Sequence, residues 1–318
     1  MSGSSIVDAA TVVAELGPMA RPDVPLAPLT TYRVGGAALA LAAPASLDDL
    51  ERIAEVARRH GLPTLVVGRG SNMLVADAGF RGIAFTLNAM GEDIRIDGAT
   101  VTVSGGSALP VVARRVSGAG LTGFEWAVGV PGSIGGAVRM NAGGHGSDMA
   151  ACVRRVRLFD LRVCQHGWVP VERLGLRFRA SDLGDHQIVL EADLALRHGD
   201  VAASEAHLAE IVRWRREHQP GGQNCGSVFV NPIPGELAAA QLIDELGLRG
   251  LRVGGAFVSD KHANFIQAGD GASAADVRAV IEQVREIVHR ESGVLLRSEV
   301  RLVGFDDGPA DDAAGVAL

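Results

Sequence analysis

The run SLDDLERIAEVARRHGLPTLVVGRGSNMLVADAGF (46–80) sets a helix, a strand and a glycine loop in succession. Leu47, Leu50, Ile53, Ala54 and Ala57 recur at helical spacing. Ser46 suits the N-cap, Asp48 and Asp49 the first turn, and Arg58, Arg59 and His60 the last, with Gly61 as the stop. TLVVG (64–68) then reads as a short buried strand that runs directly into GRGSN. A dinucleotide loop of the doubly wound kind needs G-x-G-x-x-G opening a helix. Here no helical period follows, and Asn72, Asp77 and Gly79 predict turns. A Walker A loop lacks its Gly-Lys-Ser/Thr. An anion at this loop would be held by backbone N–H groups in a nest.

Working outward, residues 1–28 read as a loosely packed leader, and DDGPADDAAGVAL (306–318) as an acidic, disordered tail. Strands are predicted at 83–87, 99–104, 153–160 and 187–196. A helix interrupted by Pro110 is predicted over 107–120. No regular period survives in 121–147, the densest glycine stretch. A boundary falls near 197–203. Helices follow at 203–218, 235–248 and 273–292, and a last strand at 294–304. The mixture makes the class α+β or α/β.

The 318 residues suit about two domains. The net charge of −7 argues against a broad basic surface for nucleic acid. No apolar run reaches the ~18 residues of a membrane span. Cys152, Cys164 and Cys225 are odd in number and have no metal spacing, so neither a disulfide framework nor a metal site is expected. The first basic residue is Arg21, so the N-terminus lacks a signal-peptide pattern and a cytoplasmic setting is expected. The 41 glycines cluster as they would where backbone must approach a ligand. Every basic residue but Lys261 is arginine, which singles that position out.

Six constellations can carry chemistry. In GRGSN (68–72), Gly68 and Gly70 admit an anion and Ser71 and Asn72 add donors; the alternative is a tight turn. VPGSIGGAVRMNAGGHG (130–146) is too apolar for a solvated loop and can wrap a large cofactor. NCGSVFVNP (224–232) can present Ser227 to a cleft, but lacks a nucleophile's partners and can equally be a turn. In SEV (298–300), alternation puts Glu299 between Arg297 and Arg301, either as a solvated ion-pair face or as a held carboxylate. In RFRASDLGDHQIVLEADL (177–194), Arg179 and Ser181 share a side if the chain is extended. In VSDKHANFI (258–266), Lys261, His262 and Asn264 can bind a polar substrate.

In this order, TTYRVGG, VVGRGSNMLVADAGFRG, GFEWAVGVPGSIGGAVRMNAGGHG, FRASDL, GSVFVNP, GGAFVSDKHANFI and SEVRLVG resemble the UDP-N-acetylenolpyruvoylglucosamine reductase (MurB) family, from residue 30 to residue 304. The resemblance implies reduction of an enolpyruvyl UDP-sugar to UDP-N-acetylmuramate for peptidoglycan, with non-covalent FAD as cofactor and NADPH as co-substrate. It implies an α+β fold with two FAD-binding subdomains of the vanillyl-alcohol-oxidase/PCMH type (29–88 and 89–200), an α+β substrate-binding domain (201–296) and a strand returning to the FAD region (297–305). Ser227 would donate a proton, and Arg179 and Glu299 would stabilise the intermediate. FAD would meet Gly68, Gly70, Ser71, Asn72, Gly136, Gly143, Arg213 and Arg301. The substrate would meet Arg216, Asn231, Lys261 and His262. A monomer without nucleic-acid or membrane partners is expected.

The sequence departs from the family pattern at Val230 (usually Lys), Phe178 (usually Tyr), Arg297 (often Glu) and His145 (usually Tyr). Its only tyrosine is Tyr32, so it is similar to the subtype without a tyrosine-bearing loop. Rival readings are a flavin oxidase of the same superfamily, an inactive nucleotide-binding paralogue, and an α/β binding module unrelated to flavin.

Overall fold

A computed structural model describes residues 7–305, Val316 and Leu318. The predicted acidic tail lies otherwise outside the described residues. The class is α+β.

The first lobe holds α1 (Ala9–Leu16), β1 (Ala20–Pro25), β2 (Ala37–Ala42), α2 (Leu47–His60), β3 (Thr64–Val66), β4 (Met73–Val75) and β5 (Phe80–Phe85). Its sheet runs β1-β2-β5-β3, with β2 and β3 parallel to β5. The α2 caps form as read: Ser46 and Asp49 close a capping box, and Gly61 takes the left-handed conformation (φ 62°). Residues 8–25, however, are no loose leader. Asp8 caps α1, Val12 and Leu16 are fully buried beside Leu50 and Ile53, and β1 pairs antiparallel with β2. Pro22 and Pro25 hid this strand from the sequence, but β1 is an edge, where proline is tolerated.

The second lobe comprises β6 (Ile94–Asp97), β7 (Thr100–Ser104), α3 (Leu109–Gly118), β8 (Leu121–Thr122), α4 (Ile134–Met140), β9 (Gly143–Gly144), β10 (Ser147–Asp148), β11 (Val153–Asp160), β12 (Gln165–Pro170), β13 (Gln187–Ala195) and β14 (Arg197–His198). Its main sheet, β12-β11-β13-β7-β6, is antiparallel throughout. The stretch 121–147 was expected to be irregular but contains α4, capped by Ser133. Gly135, Gly136 and Ala137 add too little hydrophobic contrast to show a period.

Next comes α5 (Val201–His218), whose Leu208 and Ile211 join the second lobe's core with Trp126 and Val128. By packing it therefore belongs with that lobe rather than with the residues after it. The third lobe holds α6 (Ala239–Glu245), β15 (Arg252–Val253), β16 (Ala256–Val258), β17 (Ile266–Ala268), α7 (Ala274–Ser292) and β18 (Arg301–Val303). The helix expected over 235–248 starts only at Ala239, because residues 233–237 close a turn (Leu237 N–H to Ile233 O, 2.8 Å) around Pro234 and Gly235.

The last strand is also shorter than expected. Glu299 N–H donates to Val228 O (2.7 Å), and Val230 N–H to Arg297 O (3.0 Å). From Arg301 onward the chain pairs instead with β4 in the first lobe, in parallel. A change of partner, not a change of period, ends the pairing. A second tie joins the same two lobes. Asp77 accepts from Ala274 N and Ala275 N, both at 2.9 Å, and so caps α7 from the first lobe's glycine loop.

Candidate active site

The two glycine segments meet. A side chain at Gly68 would place its Cβ 2.5 Å from Ser133 Oγ, and one at Gly132 would lie 3.6 Å from Ser71 Oγ. Gly70 has φ 58° and passes so near Leu29 that a Cβ would sit 2.1 Å from its carbonyl oxygen. The loop is stitched to the final strand: Asn72 Nδ2 donates to Glu299 O (2.9 Å), and Arg301 N–H donates to Asn72 O (3.0 Å). Asn72 thus holds a catalytic candidate's backbone.

Arg179 and Glu299 face each other, with Nε 3.3 Å from Oε1. The segment around Arg179 is not extended, as the sharing of a side with Ser181 required. Arg177 and Ala180 close a tight turn, and Arg179 sits in it with φ 55°. A non-glycine residue held there marks a constrained position. Arg179 Nη2 donates to Gly143 O (2.8 Å), and Ser181 Oγ donates to Arg139 O (2.6 Å), which anchors the turn to α4. Burial pushes the Glu299 carboxyl above its ordinary value, while Arg179 and Arg297 pull the other way. Ser227 immediately precedes Val228, whose carbonyl accepts from the Glu299 N–H, so the backbone that bears the hydroxyl is paired with the backbone that bears the carboxylate. Asn264 fixes that segment. Its Oδ1 accepts from Phe229 N (2.9 Å) and its Nδ2 donates to Phe229 O (2.8 Å).

The remaining expected residues divide. Gly136 N–H donates to Ser133 Oγ (3.3 Å). Gly143 is confined by Asp148, which would lie 2.5 Å from a Cβ. Arg301 makes a bidentate pair with Asp185 (2.6 and 2.8 Å). Asn231 Oδ1 accepts from Ala239 N (3.2 Å) at the start of α6. Lys261 Nζ donates to Arg216 O (2.5 Å). His262 Nδ1 accepts from Asn264 N (3.2 Å), so a neutral ring carries its proton on Nε2. Burial, then the charge of Arg249, holds that ring below its ordinary pKa. Arg213 is exposed on α5.

Two residues escaped the sequence reasoning. Arg215 is half-buried, and among the described residues its guanidinium has no hydrogen bond or ion pair. It converges with His145 on Gly129, where a Cβ would lie 3.3 Å from each. The signal was available: Leu208, Ile211 and Arg215 share one helical face, which turns Arg213 outward. Asp185, which bridges Arg139 and Arg301, carried no sequence signal.

These surroundings suit a flavin nucleotide. Backbone approaches backbone where a side chain would clash, and Ser107 Oγ and Arg301 Nε are buried with no hydrogen-bond partner among the described residues. A cavity of about 200 Å³ between the first two lobes, lined by Leu47, Leu87, Met90, Ser104, Arg157 and Glu191, includes none of the residues expected to meet the flavin.

Comparison with known proteins gives two family matches. Residues 38–162 match the FAD binding domain, and residues 217–303 match the UDP-N-acetylenolpyruvoylglucosamine reductase C-terminal domain. The reductase of Heliobacterium modesticaldum is 44% identical over 291 residues, 90% of this chain and 91% of that one. The chain belongs to the UDP-N-acetylenolpyruvoylglucosamine reductase family. The relative from Bacillus subtilis is 37% identical over 88% of this chain and 92% of its own. The crystal structure of MurB from Thermus caldophilus superposes with a TM-score of 0.78 at 33% identity, over 89% of this chain and 99% of that one. The FAD-binding match and this superposition place the fold with the vanillyl-alcohol-oxidase/PCMH type. Among the described residues, no helix is long and apolar enough to cross a membrane.

Proposed function

We propose that this chain reduces the enolpyruvyl double bond of UDP-N-acetylglucosamine enolpyruvate to the lactyl ether, giving UDP-N-acetylmuramate for peptidoglycan synthesis. The observation that carries this reading is the Arg179–Glu299 pair, 3.3 Å apart, beside the segment that bears Ser227. Bound FAD would supply the hydride and NADPH would restore it. Gly68, Gly70, Ser71, Asn72, Gly136 and Gly143 would line that cofactor, with Arg301 Nε and Ser107 Oγ as donors that have no partner among the described residues.

The chain's own residues account for the rest. Hydride addition to an enolpyruvyl carbon builds negative charge toward the substrate's carboxylate. Arg179, fixed by its turn and by Gly143, stabilises that charge without reorganising. Ser227 delivers the proton to the neighbouring carbon. A serine hydroxyl is a weak acid, so the polar pair beside it must assist. Glu299, with its raised proton affinity, orients the hydroxyl and the guanidinium. Arg215 can meet a phosphate group, being the inward-facing cation on α5. Neutral His262 offers Nε2–H to the sugar or its phosphates, alongside Asn231, Arg216 and Lys261. Arg297 lies across the pairing from Val230 and supplies a cation where the family's usual lysine is missing.

The test is product identity. Protein supplied with NADPH and UDP-N-acetylglucosamine enolpyruvate should yield, by mass spectrometry, the substrate plus two hydrogens, one NADPH consumed per product. Flavin that is reduced while the sugar stays unchanged would refute the reading and favour an oxidase or an inactive paralogue.

A further inference from the structure

The turn that carries Arg179 crosses the final strand twice. At the first crossing Arg179 meets Glu299, with cation on the turn and anion two residues ahead of β18. At the second, six residues along the turn and two along the strand, the polarity reverses: Asp185 accepts from Arg301 Nη1 (2.8 Å) and Nη2 (2.6 Å). Asp185 Oδ1 also accepts from Arg139 Nη2 (3.2 Å), which brings in α4, the helix inside the second glycine segment. All three side chains are half-buried, with exposures of 25–32%. A bidentate guanidinium–carboxylate pair fixes direction as well as distance. Arg301 is in turn tied through its own N–H to Asn72, whose side chain holds the Glu299 carbonyl.

We propose that Asp185 is a positioning residue that holds Glu299 against Arg179 by clasping Arg301. It touches neither partner of that pair. Without it, Arg301 and Arg139 lose their shared counter-ion, and among the described residues the segment bearing Glu299 keeps with the turn the single contact that the reaction uses. The inference rests on the functional reading above for the meaning of Glu299, but not for the geometry.

The test uses the flavin-loaded protein with Asp185→Asn and Asp185→Glu. The anaerobic reaction has two separable halves: reduction by NADPH, and reoxidation by the enolpyruvyl UDP-sugar. Asp185→Asn should slow reoxidation ~10–100-fold through its maximal rate, as for a small misplacement of a reacting group. Reduction by NADPH should stay within about twofold. Asp185→Glu should recover most of the loss, because it restores the charge on the same arginines.

A second readout needs no turnover. If the clasp positions Glu299, its release in Asp185→Asn raises the Glu299 pKa, followed by carboxyl carbon NMR, as Arg179 recedes. If Asp185 acts only as a counter-ion, freeing two guanidiniums lowers that pKa. Reoxidation equal to the parent, an equal fall in both half-reactions without rescue by Glu, or a lowered Glu299 pKa would each overturn the proposal. A parent that the UDP-sugar fails to reoxidise would instead count against the functional reading, and the NMR titration would still decide the clasp.

Discussion

In the proposed reaction, Glu299 contributes more to catalysis than to the fold. Its raised pKa means that the folded state binds this proton more tightly than the unfolded chain does. That contribution to stability is full below the ordinary carboxylate range and is lost as pH rises through the raised value. Glu299→Gln should therefore be at least as stable as the parent at pH 8, with the advantage gone at pH 3. Its turnover should fall ~10²–10⁴-fold. Thermal unfolding at the two pH values together with an activity assay checks both; a variant less stable at pH 8 would show that the charge helps hold the site together. Ser227→Ala should cost turnover on the same scale with little change in substrate affinity.

Cys225 offers a contrast beside it. Burial pushes its thiol up to about 12, against Tyr32, and Glu299 adds to the rise. The neutral thiol should resist alkylation at pH 8.5 in the folded protein, while the half-exposed Cys164 reacts, as mass mapping of labelled peptides would reveal. At this scale the sequence named Arg179, Glu299 and Ser227 through motif resemblance. It could not name Asp185, because a carboxylate that bridges two arginines from α4 and β18 has no local pattern.

Among elements, the joints matter most. Asp77 is the clearest, since a turn residue of the glycine loop caps a helix almost two hundred positions away. Asp77→Ala should cost ~1 kcal/mol, the usual value of an N-cap, in chemical denaturation. Ser273 also caps α7, so the helix should survive and the loss should lie in how the lobes are tied. Gly70→Ala should be worse. Its positive φ alone costs ~1 kcal/mol, and the Leu29 carbonyl leaves no room for the methyl group. Loss of flavin at a lower temperature than in the parent would register it; unchanged retention would mean the loop yields.

Helices with strong caps and a continuous apolar face, α2 and α7, were legible in the sequence within a residue or two. So was β11, read at its observed bounds. Elements made of small residues or prolines were not: α4 lacked contrast, and β1 had the composition of a loop although it sits at a sheet edge. The shortened last strand was misread because one continuous apolar alternation serves two successive partners.

At the scale of the molecule, three lobes enclose one site, and the chain closes by returning β18 to β4. The sequence showed the mixed class and the absence of a doubly wound dinucleotide loop. It could not show that α5 packs with the second lobe, nor that Tyr32 enters the third lobe's core, because both depend on distant partners. The arrangement brings the glycine loops of the first two lobes to the Arg179–Glu299 pair and the Ser227 segment of the third. Such a site should pass electrons from NADPH to an enolpyruvyl sugar without oxygen. The decisive measurement is the visible spectrum of the flavin-loaded protein, bleached by NADPH under anaerobic conditions and then given UDP-N-acetylglucosamine enolpyruvate. Return of the oxidised flavin band in the absence of oxygen is the expected result. A band that stays bleached until air is admitted would contradict it.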